Sequence, residues 1–216
     1  MALSRDIPLV PRDSALLFID VQNFSAHRNG GEFKDTPPAD FVANFGAFFD
    51  DLDARVIPNM QALQAACRGA DVEVLYTVIE SLTFDGRDRS LDYKITGFNV
   101  PKGSWDGKVI DQIAPQGDEI VLPKTSSSVF ISTNIDYLLR NLGVQQLVIS
   151  GLLTDQCVES AIRDACDLGY LVTQVTDACS TITPERHANS LNAIKGYCRQ
   201  ITTEDLISEI NGGRDG

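Results

Sequence analysis

The sequence is short of positive charge: its 216 residues carry 18 Lys+Arg against 30 Asp+Glu, a formal net charge of −12. Nucleic acid would be repelled over most of such a surface, so no nucleic-acid partner is expected, and the acidic excess reads as serving solubility. Long apolar runs are also missing. None approaches the roughly 20 residues that a membrane-crossing helix needs, and residues 1–12 lack the basic and apolar regions of a signal peptide. The expectation is a cytoplasmic protein with no membrane partner. Histidine occurs only twice, as His27 in a polar stretch and His187 near a helix start. Neither stands at the end of a strand, so a Cys–His dyad is not supported. The five cysteines, Cys67, Cys157, Cys166, Cys179 and Cys198, include no Cys-x-x-Cys pair, which argues against zinc or a redox centre.

What is present is enough apolar material for a full core. With 43% hydrophobic and 22% charged residues, the chain reads as one globular domain over residues 1–216. Six short runs rich in branched residues read as strands: 15–21, 72–77, 119–124 with Pro123 marking its end, 146–150, 170–176 and 199–202. Helical periodicity fills the gaps. A long crossover over 39–67 carries Phe41, Phe45, Phe48, Phe49, Leu52 and Leu63 at helical spacing and reads as broken near Pro58. Further helices are expected over 134–142, 157–168 with Gly169 as its cap, and 185–197, with a last one opening at Thr203. Regular alternation predicts a three-layer α/β/α sandwich around a six-stranded, mostly parallel sheet.

In such sheets, sites lie beyond the carboxyl ends of the strands. Asp20 follows the first run, Lys124 ends the third, and Cys157 follows the fourth in Gly151-Leu-Leu-Thr-Asp-Gln-Cys-Val158. A thiol at a helix start would meet the positive end of the helix dipole, which favours thiolate, and the N–H groups there could hold an oxyanion. Asp20 could accept the thiol proton, and Lys124 could hold both anions. Taken singly, each residue has a plain reading: a buried structural thiol, a turn cap and an exposed strand-end lysine. The joint placement is what points to catalysis.

These motifs, Asp20-Val-Gln-Asn23 after an apolar strand, Lys124 after Val-Leu-Pro, and the Gly151–Val158 stretch, closely resemble those of the isochorismatase-like cysteine hydrolase superfamily over residues 13–202. The resemblance implies that Asp20, Lys124 and Cys157 form a catalytic triad. It also implies a non-proline cis peptide between Leu152 and Leu153, and an oxyanion hole made by the Leu153 and Cys157 N–H groups. Family members that bind metal carry an Asp-x-His motif after the second strand, where this chain reads Tyr76-Thr-Val-Ile-Glu-Ser-Leu-Thr83. A metal is therefore not expected, and no cofactor is implied. Retention of the cysteine favours the branch that opens C–N bonds of small amide or ureido compounds through a thioester. Lys102-Gly-Ser-Trp105 and Cys157-Val-Glu-Ser160 are similar to ureidoacrylate and N-carbamoyl amidohydrolases. A homo-oligomer, dimer or tetramer, is implied as well. Two alternatives stay open: vinyl-ether hydrolysis of an isochorismate-like substrate, and a ligand-binding or redox-responsive protein that keeps the fold without turnover.

Around the triad, Gln22 and Phe24 after the first strand are candidate substrate-binding residues, and the charged segment Asp85–Lys94 could shape a pocket. Arg87 or Arg89 could hold a substrate carboxylate, and Tyr93 or Trp105 could close the site, although the plain reading of this segment is a solvated loop. The four other cysteines read as structural, and His187 as part of a first helical turn.

Overall fold

A run of apolar residues becomes a strand buried on both faces only when helices cover both sides of the sheet. That is the situation of β1 (Ser14–Ile19), all of whose residues are buried. In the computed structural model, which describes residues 4–212, β1 lies near the middle of a six-stranded sheet with order β3-β2-β1-β4-β5-β6. The other strands are β2 (Glu73–Ile79), β3 (Ile120–Lys124), β4 (Gln146–Leu152), β5 (Leu171–Ser180) and β6 (Arg199–Ile201), and every pairing is parallel. Pro123 lies inside β3 opposite Val78, a position that an edge strand tolerates because no further strand needs its missing N–H.

Alternate β1 side chains enter different cores. Leu16 and Phe18 pack with Phe48, Met60, Leu63, Leu206 and Ile210, whereas Ala15, Leu17 and Ile19 pack with Leu139, Val158, Ile162 and Ile194. The helices therefore divide into two layers. After the single turn α1 (Asn23–Ala26), α2 (Pro38–Asp51) and α3 (Ile57–Gly69) cover one face together with the last helix, α9 (Thr203–Gly212). Between β2 and β3 lies the short α4 (Leu91–Thr96). The other face is covered by α5 (Val129–Ser132), α6 (Ile135–Asn141), α7 (Glu159–Asp167) and α8 (Pro184–Ile194). This is the α/β/α sandwich expected from the strand–helix alternation. No helix among the described residues is long and apolar enough to cross a membrane.

Two details correct the sequence reading. The crossover is not broken at Pro58. The helix runs through it, and a π-helical turn, Leu52–Val56, precedes the proline. The Ile57 N–H bonds to the Leu52 carbonyl, so the ladder widens just where Pro58 supplies no donor. The charged segment is also not simply a loop, because residues 91–96 form α4. Ser90 Oγ accepts the Tyr93 N–H at its start, and Gly97 closes it with φ +82°.

Candidate active site

The sheet delivers three reactive side chains to one rim. Ile19 pairs with Thr77 and with Gly151, and Ile79 pairs with Lys124, so the ends of β1, β2, β3 and β4 lie side by side. At Asp20 the chain leaves β1 through a left-handed backbone, φ +54°, while its N–H still bonds to the Thr77 carbonyl. Gly151 allows β4 to pass β1 closely: a Cβ there would fall 2.2 Å from the Ile19 carbonyl oxygen, and its φ is +139°. Past Gly151, the Leu152–Leu153 peptide is cis. The chain then enters a π-helical turn, Thr154–Val158, which runs into α7 and contains Cys157.

Lys124 joins the group. Its Nζ lies 2.9 Å from Asp20 Oδ2 and 3.3 Å from Cys157 Sγ, and it also donates to the Ser126 carbonyl at 2.8 Å and the Tyr93 hydroxyl at 3.2 Å. Lys124 is 0% exposed and Asp20 2%. The second carboxylate oxygen, Asp20 Oδ1, accepts from Thr77 Oγ1 at 2.9 Å. Oδ2 faces the Lys124 ammonium. The Tyr93 hydroxyl stands 3.9 Å from Cys157 Sγ.

The electrostatics correct one expectation. Burial pushes the Cys157 thiol up to about 12, Asp20 pushes the same way, and Lys124 pulls down. The resting group is therefore a neutral thiol. From a neutral thiol, a thiolate is made by proton transfer. Burial also disfavours the Lys124 ammonium, but the net shift is upward, with the Asp20 carboxylate the leading charge that opposes burial, so Lys124 stays charged. Burial raises the Tyr93 phenol, which stays protonated. Burial likewise pushes the thiols of Cys67, Cys179 and Cys198 up to about 12.

The pocket candidates separate. Tyr93 reaches the triad by way of α4. Phe24 is buried, meets Phe98 edge-on at 5.5 Å, and lines a cavity of about 580 Å³ that Glu32, Asn99 and Asp106 also line. The structure spends Gln22 on the scaffold: its amide donates to the Ile79 and Asp106 carbonyls and accepts the Ile79 N–H. Arg89 donates to the Gly86 and Phe98 carbonyls, and Arg87 is exposed and paired with Asp85. Trp105 lies edge-on to His27 at 5.0 Å, and its carbonyl accepts from Asn23. Thr77 had no signal of its own; only the register of β2 beside Asp20 reveals it. Among the described residues, no group of three or more His, Cys, Asp or Glu side chains is arranged to hold a metal ion.

Comparison with known proteins adds a family to this geometry. The profile described as the isochorismatase domain matches residues 14–205. The ureidoacrylate amidohydrolase RutB of Pantoea ananatis is 31% identical over 83% of this chain and 74% of its own length. RutB of Rhizobium rhizogenes is 29% identical over 95% of this chain and 86% of its own. Among solved structures, a cysteine hydrolase from Pseudomonas syringae superposes with TM-score 0.77 at 24% identity, covering 95% of this chain and 96% of the other. An N-carbamoylsarcosine amidase from Thermoplasma acidophilum superposes with TM-score 0.65 at 25% identity, over 88% and 96%.

Proposed function

Because the chain belongs to the isochorismatase family, we propose that it is a cysteine hydrolase that opens the C–N bond of a small amide or ureido compound. The observation that carries this reading is the buried Lys124 ammonium, within 3.3 Å of the Cys157 sulfur and 2.9 Å of the Asp20 carboxylate. The relatives support the substrate class, being amidohydrolases of ureidoacrylate and of an N-carbamoyl compound.

The chemistry runs as acyl transfer. Asp20 Oδ2 takes the Cys157 proton, and the thiolate adds to the substrate carbonyl carbon. The oxyanion that forms is held by the Leu153 and Cys157 N–H groups. The C–N bond breaks as the protonated Asp20 returns its proton to the leaving nitrogen. Water, deprotonated by Asp20, then cleaves the thioester and restores the thiol. Lys124, 2.9 Å from Asp20 Oδ2, offsets the negative charge that passes between carboxylate and sulfur. We propose that the working form is a homo-oligomer in the cytoplasm.

The test is ammonia release from ureidoacrylate, N-carbamoyl compounds and simple primary amides, with Cys157→Ala run alongside. Release by the unsubstituted protein that the variant loses by at least about a thousandfold is expected for a nucleophile. Release that survives the substitution would overturn the thioester route, and no release from any member of the panel would overturn the substrate class.

A further inference from the structure

The turn that carries Cys157 is gripped from one side by α8. Ser190 Oγ donates to the Thr154 carbonyl at 3.2 Å and to Glu159, Arg186 pairs with Asp155 at 2.6 Å, and Thr181, just after β5, donates to the same Asp155 carboxylate. These bonds hold the carbonyl and the outer side chains of the turn. A further bond from α8 reaches the Thr154 side chain itself, the pair Thr154 Oγ1–His187 Nδ1, at 2.8 Å. Thr154 is 0% exposed. In the chain Thr154 directly follows Leu153 and stands three residues before Cys157, the two residues whose N–H groups the reaction would use.

We propose that His187 is a positioning residue for hydrolysis, fixing through the Thr154 hydroxyl the turn that presents the Cys157 sulfur and the Leu153 and Cys157 N–H groups to the substrate. The proposal rests on the hydrolase reading and adds a residue to it. A buried hydroxyl left unpaired is costly, so the turn has reason to settle where Thr154 meets the imidazole. A displacement of about 1 Å at an oxyanion donor is enough to slow the chemical step strongly without weakening ground-state binding.

The surroundings suit a neutral ring. His187 is half-buried and lines a cavity of about 260 Å³ with Asp51, Arg55, Ser180, Thr181 and Pro184. Burial lowers its pKa, Arg55 lowers it further, and Asp51 and Asp155 oppose. Arg55 is tied to Asp51 by two 2.7 Å bonds, and Arg186, next to His187 on α8, is tied to Asp155. Each charge facing the ring therefore already has a partner, and the imidazole is free to serve Thr154. A neutral imidazole has one nitrogen that accepts and one that donates, so it can match the hydroxyl.

The experiment compares His187→Phe, His187→Asn, Thr154→Val and the double variant His187→Phe/Thr154→Val, with kcat and KM measured on the substrate the panel identifies. The two single variants that break the bond should lose about tenfold in kcat with KM within about twofold, and the double variant should lose little more than either alone. His187→Asn puts an amide where Nδ1 stands and should recover most of the loss. Alkylation of Cys157 by iodoacetamide should stay within about twofold throughout, because Asp20 and Lys124 are untouched. Unchanged kcat in folded variants, or losses that multiply in the double variant, would overturn the inference and leave the hydrolase reading standing. Absence of Cys157-dependent release by the unsubstituted protein would overturn both.

Discussion

Lys124 has three ammonium protons and four neighbours that want them: Asp20, Ser126, Tyr93 and Cys157. A buried ion pair of this kind adds little to stability against a well-packed apolar substitute, but removing one partner strands the other charge. Lys124→Met therefore leaves the Asp20 carboxylate buried with only Thr77 to support it. The expected outcome is a loss of about 3–5 kcal/mol in urea unfolding, with hydrolysis falling below detection. A variant that unfolds at the wild-type midpoint would show that Asp20 finds another partner or takes up a proton. At this scale the clustering of Asp20, Lys124 and Cys157 was legible because charged residues at the ends of apolar strands are conspicuous. Gln22, Arg87 and Arg89 have types that suit a ligand equally well, and only the fold shows that neighbouring carbonyls and Asp85 engage them in this structure. The helix-start argument for a Cys157 thiolate is opposed by burial, which a sequence does not display.

Among the elements, the meeting of β1 and β4 sets the geometry of the rim. Gly151 stands where a Cβ would enter the Ile19 backbone, 2.2 Å from its carbonyl oxygen, and where φ is +139°. Backbone cannot yield as the tip of a side chain does. Gly151→Ala should therefore push β4 from β1, cost on the order of 2 kcal/mol or more in urea unfolding, and lower kcat by moving Cys157 relative to Asp20. A variant with unchanged unfolding and unchanged kcat would mean that the strands separate freely. The strands themselves were easy to read, because burial on both faces makes each a near-continuous apolar run. Two elements were not. The caps of α4, Ser90 and Gly97, lie in a segment whose alternating charges suggest a loop, and the π-helical turn before Pro58 lets a helix continue where proline ordinarily ends one. The bond from α8 to Thr154 joins residues 33 apart in the chain, and no periodicity announces it.

For the whole molecule, the net charge of −12 becomes a property of the reaction. Ureidoacrylate carries a carboxylate, so an acidic surface repels it during approach, whereas a neutral primary amide feels no such field. Salt shortens the reach of that field, from roughly 30 Å at 0.01 M to roughly 10 Å at 0.1 M. The expected outcome is that kcat/KM for an anionic ureido substrate rises over this range while that for a neutral amide stays level. The Asp20–Lys124 pair is 3% and 0% exposed at its side chains, so screening does not reach it, and kcat should hold for both substrates. Paired measurements on one enzyme preparation check this, since any effect of salt on folding moves both substrates alike. A kcat/KM that falls with salt for the anionic substrate alone would instead locate a cationic patch near the mouth of the site, strong enough locally to reverse the field of the whole chain.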